Sequence, residues 1–113
     1  MSGKYVIKSN ESGKITFNLK AGNGQIILTS ETYESRAAAV NGIASVRKNA
    51  TDDSRYERKI SKAGEPFFVL KAGNGEIIGK SEMYSAAAAM ENGIASVKQN
   101  APEAPLEEDS AAA

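Results

Sequence analysis

The segment Lys20-Ala21-Gly22-Asn23-Gly24-Gln25-Ile26-Ile27 returns 51 residues later as Lys71-Ala72-Gly73-Asn74-Gly75-Glu76-Ile77-Ile78, with Gln25 the one residue changed. Aligned without a gap, Lys4–Ala50 and Arg55–Ala101 agree at 25 of 47 positions, so the chain is one unit written twice. A unit of about fifty residues buries only about 60% of its unfolded surface and is marginal alone. The repeats 4–50 and 55–101 are therefore expected to share one core in a single domain spanning 1–101.

Within each copy the hydrophobic period changes once. Lys4–Ser9, with Tyr5 and Ile7 on one face, and Lys14–Lys20 alternate as strands do, and Gln25–Ser30, apolar at Ile26, Ile27 and Leu28, reads as the returning strand after Asn23-Gly24. Asn-Gly suits positive φ at both centres of a type I′ hairpin turn. From Ser35 or Glu34 onward the period is helical, with Ala39, Ile43, Val46 and Ala50 on one face. Lys48 falls in the last turn, and Asn49 is a candidate left-handed terminator. Thr51–Ser54 is a short polar linker. The second copy predicts strands over Tyr56–Ser61, Pro66–Lys71 and Glu76–Ser81 and a helix over Ser85–Asn100, with Pro66 at a strand start or on an edge. Residues 102–113, with two prolines, four acids and an alanine run, are expected to be a disordered acidic tail.

Three strands and a helix leave one sheet edge open and half a core bare. Two copies about an approximate two-fold axis solve both problems. The predicted fold is α+β: two tandem β-β-β-α repeats joined into one antiparallel sheet, with both helices on one face. Because that two-fold contact is satisfied internally, the chain is expected to be a monomer containing a pseudo-dimer.

Gly42 and Gly93 sit mid-helix, where glycine costs about 1 kcal/mol relative to alanine. The stripe Ala38, Gly42, Ser45, Asn49 and its repeat Ala89, Gly93, Ser96, Asn100 predict a close crossing of the two helices. The alternative is a shallow polar groove between them, lined by Asn49, Asn100, Ser45 and Ser96, that holds a small ligand. Asn41 and Asn92 lie further round on the solvent side and have no packing explanation.

Composition excludes several chemistries. Cysteine and histidine are both absent, which removes disulfides, thiolate metal sites, thiol catalysis and any unperturbed base near neutrality. The acids repeated in both copies are Glu31 and Glu82, each in a Ser-Glu-x-Tyr segment entering the helix, where the helix dipole explains an acid. Tyr33 and Tyr84 read as core aromatics. Catalysis, cofactors and bound metals are not expected. The Gly-Asn-Gly loops lead into strands and lack the ending of a phosphate-binding loop, so they read as hairpins. No membrane span or signal-peptide apolar stretch is evident, which makes a cytosolic protein the default expectation.

Charge is balanced overall but not locally. All 14 basic residues precede residue 102, whereas Glu103, Glu107, Glu108 and Asp109 leave 14 − 4 = 10 acids in the body, giving it +4. Lys14, Lys20, Lys71 and Lys80 with Phe67 could dress the exposed sheet face as a weak nucleic-acid platform. The candidate surface is Lys20, Lys71, Phe67, Val69, Asn41 and Asn92. The leading functional expectation is a non-catalytic interaction module that binds a protein or peptide, in part through an exposed sheet edge.

Three motifs in order and in duplicate carry a resemblance: Phe17–Ile27, Ser30–Tyr33 and Asn41–Val46, repeated as Phe68–Ile78, Ser81–Tyr84 and Asn92–Val97. They resemble the YegP-like family of small bacterial proteins across residues 4–101. The resemblance implies one continuous antiparallel sheet, built from two subunits or tandem repeats, with helices on one side. Since the family's domain is of unknown function, the resemblance supplies no catalytic or binding residues. It also implies a C-terminal strand exchanged between units, from which the Pro-rich acidic segment 102–113 departs.

Overall fold

The computed structural model describes residues 3–9 and 12–108. The elements are β1 (Lys4–Ser9), β2 (Ile15–Lys20), β3 (Ile26–Thr29), α1 (Arg36–Asn49), β4 (Tyr56–Ile60), β5 (Pro66–Lys71), β6 (Ile77–Lys80), α2 (Ala87–Asn100) and β7 (Leu106–Glu108). A 3-10 turn, Asp53–Arg55, precedes β4 and is capped by Asp52, whose carboxylate accepts from Ser54 N–H at 3.0 Å. All seven strands form one sheet in the order β4-β5-β6-β3-β2-β1-β7. It is mixed rather than purely antiparallel, because β7 runs parallel to β1.

The core lies between the helices and one face of this sheet. Alternation places Tyr5, Ile7, Phe17, Leu19, Tyr56, Phe68 and Leu70 on the inner face. The helices answer with Ala39, Ile43 and Val46 from α1 and Met90, Ile94 and Val97 from α2, at helical spacing. Ser35 caps α1 by accepting from Ala38 N–H at 3.1 Å. In the second copy Ala86 takes that place and makes no side-chain cap. Neither helix has an acid in its first turn, so the dipole explanation for Glu31 and Glu82 does not hold.

The seam between repeats is short: Thr29 opposite Lys80 is the one β3–β6 register pair. The join is reinforced because each helix crosses it, α1 packing on β6 and β5 and α2 on β3. At its centre the two copies differ. Leu28 is fully buried, and its two-fold equivalent is Gly79, where an added Cβ would lie 2.7 Å from the Leu28 side chain. One leucine fills a space that the fold's symmetry would otherwise divide between two residues.

Several expectations are corrected. The hairpin loops are not type I′, because Gly24 and Gly75 have positive φ while Asn23 and Asn74 do not. Gly24 N–H donates to Ala21 O at 2.9 Å and the ladder shifts register at Leu19/Lys20, which is a turn with a left-handed glycine and a bulge. Asn49 does not terminate α1 in a left-handed conformation; the cap is Ala50 in the ordinary helical region.

Gly42 and Gly93 do not mark a helix crossing. A Cβ on Gly42 would stand 2.3 Å from the Tyr33 hydroxyl, and one on Gly93 would stand 2.2 Å from that of Tyr84. Each tyrosine ring stacks on its own repeat's Phe17 or Phe68, at centroid distances of 6.0 and 6.4 Å. The motifs Ser-Glu-x-Tyr and Asn-Gly-Ile are thus two halves of one contact, in which glycine makes room for a phenol.

The segment 102–113 is not a wholly disordered tail, because Leu106–Glu108 forms β7; residues 109–113 lie outside the described residues. Topology accounts for its direction. The chain leaves α1 and becomes β4 beside β5, so by two-fold symmetry the chain leaving α2 heads for the place beside β2. That place is taken by β1, and the chain continues along β1's free edge, parallel to it.

Candidate functional site

The predicted surface residues do not form one patch. Lys20 is half-buried at the end of β2, opposite Lys4. Phe67, Val69 and Lys71 lie on β5, with β6 and β3 between it and β2. Asn41 and Asn92 are exposed on the helix layer, across the sheet from the others. Nor is the β5 trio an open platform. Val69 is 3% exposed, the Lys80 ammonium sits 5.1 Å over the half-buried Phe67 ring, and Lys71 meets Glu57 at 2.5 Å. Stacking a base on Phe67 would require moving Lys80 from its ring.

The polar groove between the helices is likewise used up. The Asn49 amide donates to Ser45 O at 2.8 Å and to Ser45 Oγ at 3.3 Å, and Asn100 does the same with Ser96. Asn100 Oδ1 also accepts from Gly3 N–H at 2.9 Å. These amides tie down backbone.

Open clefts occur instead where the repeated motifs of opposite copies meet. Gly24, Gln25, Ile26 and Ile27 with Glu82 and Tyr84 line one of about 470 Å³. Its two-fold mate, of about 590 Å³, is lined by Gly75, Glu76, Ile77 and Ile78 with Glu31 and Tyr33. The serines of the motif are spoken for: Ser30 Oγ accepts from Phe17 N–H at 2.8 Å and donates to Glu31 O at 2.7 Å, and Ser81 repeats both bonds. Burial, then the neighbouring Glu31 or Glu82, raises the pKa of Tyr33 and Tyr84, so both remain neutral phenols near pH 7. Each cleft thus pairs a protonated phenol, a hydrogen-bond donor, with the carboxylate of Glu31 or Glu82, a hydrogen-bond acceptor.

The two ends of the sheet are the part that sequence reading missed. At one end, β1 carries β7 along its outer edge, with Tyr5, Val6 and Ile7 opposite Leu106, Glu107 and Glu108. Tyr5 N–H donates to Pro105 O at 2.9 Å, Arg47 donates to Ala104 O at 2.7 Å, and Lys4 pairs with Glu107 at 2.8 Å. The Arg47 guanidinium lies 5.1 Å over the Tyr5 ring, whose hydroxyl donates to Ala101 O at 2.7 Å. At the other end is β4, the equivalent of β1, and no strand lies outside it among the described residues.

The groups that hold β7 on β1 nevertheless recur on β4. Tyr56 stands for Tyr5, and its hydroxyl donates to Ala50 O at 2.6 Å. Lys98 stands for Arg47, with its ammonium 5.7 Å over the Tyr56 ring. Arg55 stands for Lys4; its Nε is buried without a hydrogen-bond partner and faces Asp52 Oδ2 at 3.6 Å. Tyr56 N–H is satisfied by Asp53 O of the 3-10 turn. Beyond that point the two-residue period turns the N–H groups of Arg58 and Ile60 outward, as it does that of Ile7 toward β7. Ile60 is 67% exposed. Arg58 pairs with Glu91 at 2.6 Å and Asp53 at 3.3 Å, and Lys98 meets Asp53 at 2.7 Å. These contacts hold both carboxyls below the usual carboxylate range: Lys98 first and then Arg58 for Asp53, and Arg58 for Glu91.

Fold and edges together define a duplicated α+β protein whose sheet carries an outer strand on β1 and, among the described residues, none on β4. The chain belongs to the family described as Domain of unknown function (DUF1508), whose model matches residues 10–57 and 61–108. Each match takes in a hairpin and a helix; the first closes two residues into β4 and the second at the end of β7. A UPF0339 protein of Bordetella pertussis is 55% identical over 99% of this chain and 100% of its own length. The UPF0339 protein YegP of Yersinia pestis is 55% identical over 87% of this chain and 88% of its own. The solution NMR structure of YegP from E. coli, titled a protein of unknown function, matches with a TM-score of 0.91 and 45% identity, over 96% of this chain and 94% of that one. A UPF0339 protein from Shewanella oneidensis, also solved by NMR, matches with a TM-score of 0.90 and 44% identity, over 96% and 92%. Among the described residues, no helix is long and apolar enough to cross a membrane.

Proposed function

We propose that the chain is a non-catalytic interaction module that accepts an extended segment of a protein partner as an added strand along β4. The observation that carries this reading is the unequal pair of sheet margins: β1 holds an outer strand, and β4, built on the same plan, ends the sheet. Main-chain hydrogen bonds would supply affinity, and the side chains flanking the edge would supply selectivity. The residue content supports the non-catalytic half, since neither histidine nor cysteine is present and the cleft tyrosines hold their protons.

The charged run Glu57-Arg58-Lys59 shields β4 against indiscriminate pairing, as edge strands commonly require. Selection of random peptides against the full chain, followed by amide chemical-shift mapping of the winners, tests the proposal. Perturbations are expected at Glu57–Ile60, and Ile60→Pro, which deletes an outward N–H without touching the β4–β5 ladder, is expected to weaken binding at least about tenfold. Winners that map to the outer sheet face, the clefts or the helices would refute it, as would a selection that enriches nothing.

A further inference from the structure

Resting on that reading, we infer that the segment β4 accepts runs parallel to it and places a carboxylate at its second residue, against Arg55. The receptor half of the β1–β7 contact is written twice in this chain, and the strand is written once. Lys4, Tyr5 and Arg47 receive β7; Arg55, Tyr56 and Lys98 occupy the equivalent places and keep cation, phenol and cation in order. On β1 the second residue of the added strand is Glu107, which meets the Lys4 ammonium at 2.8 Å. On β4 the corresponding cation is a guanidinium with a buried, unbonded Nε, and its own acid, Asp52, stands at 3.6 Å. Nε itself is closed to solvent, but the Arg55 side chain as a whole is 37% exposed, so a carboxylate entering from the partner can pair with its outer N–H groups.

Direction follows from the same template. Asp53 O already occupies, on Tyr56 N–H, the place that Pro105 O holds on Tyr5 N–H. An added segment therefore starts beside Tyr56, where its second residue donates to Tyr56 O and accepts from Arg58 N–H in a parallel ladder. That residue's side chain falls on the outer face, next to Glu57, which is already neutralised by Lys71 at 2.5 Å and Lys59 at 3.6 Å. The like charge there is screened, and Arg55 decides the preference.

The probe is a synthetic acetylated peptide with the sequence of residues 104–108, titrated into the full chain while amide shifts are followed. Saturable shifts are expected at Arg55–Ile60. Both a peptide carrying Glu107→Lys and the protein variant Arg55→Gln should weaken binding about fivefold, the usual scale of a partly exposed ion pair. Equal binding of the Glu and Lys peptides on β4 would overturn the carboxylate assignment and leave the edge reading standing. If the probe leaves β4 unshifted while selected peptides bind there, this inference also falls alone. Shifts confined to β1, with release of residues 106–108, would show the probe replacing β7 and likewise overturn it. If no peptide of any charge perturbs β4, both proposals fail together.

Discussion

Gly79→Leu should destabilise the wild-type chain by about 2–3 kcal/mol, yet stabilise a chain that already carries Leu28→Ala. In the native seam the Leu28 side chain lies where a Cβ on residue 79 would go, with atoms 2.7 Å apart, and Leu28 is fully buried with no free volume to move into. Overpacking is therefore the first-order effect in the wild type. Leu28→Ala alone should cost about 2–4 kcal/mol through lost burial and a residual cavity. Because residues 28 and 79 are two-fold mates, a leucine introduced at 79 in that background enters the cavity from the opposite strand. Urea unfolding of the four chains reads the outcome as a double-mutant cycle. Additive losses would mean that the two positions do not share one space.

Removing residues 102–113 should cost about 3 kcal/mol and make the remaining chain prone to self-association. A disordered tail could be cut without effect, whereas this one carries structure up to residue 108. The deletion takes away Pro105 O from Tyr5 N–H, Ala104 O from Arg47 and Glu107 from Lys4. It also removes Ala104, which is fully buried, and Leu106, which packs on the core. Each net hydrogen bond contributes about 1 kcal/mol and the apolar contacts a similar amount. The uncovered edge would present Tyr5, Val6 and Ile7, an apolar run unlike the charged Glu57-Arg58-Lys59 of β4. Urea unfolding of the truncated chain, with light scattering at rising concentration, checks both parts; an unchanged midpoint would mean that β7 contributes nothing.

How far the sequence carried the fold depends on where each residue's partners lie. Alternation set β1 over Lys4–Ser9 to the residue, because one face of the strand meets the core and the period is local, and correspondence with the first copy set β5 over Pro66–Lys71. Duplication itself implied the shared sheet. What failed needed partners distant in the chain. Gly42 is small because of Tyr33, nine positions away, and a stripe count on the helix alone cannot distinguish a phenol from another helix. Asn49 looks like a terminator by residue type, yet it bonds back to Ser45 within the helix. In β7 only Leu106 is apolar, so neither period nor propensity marks it; the strand exists because β1 offers an edge where α2 delivers the chain.

The candidate site was the least legible. Of the six surface residues named from sequence, Val69 is buried, Phe67 and Lys71 are engaged by neighbours, and Asn41 and Asn92 sit in the other layer. One signal was available in the repeat alignment: Lys4/Arg55, Tyr5/Tyr56 and Arg47/Lys98 keep their chemistry across copies. Its meaning required knowing that β7 lies against the first member of each pair.

Amide hydrogen exchange on the free chain tests the central claim, an occupied margin at β1 and an open one at β4. The outward N–H of Ile7 should exchange at least about a hundredfold more slowly than that of Arg58, since the first is covered by β7 and the second faces water. Equal protection of the two amides would mean that the β4 margin is already closed and that no partner strand is accepted there.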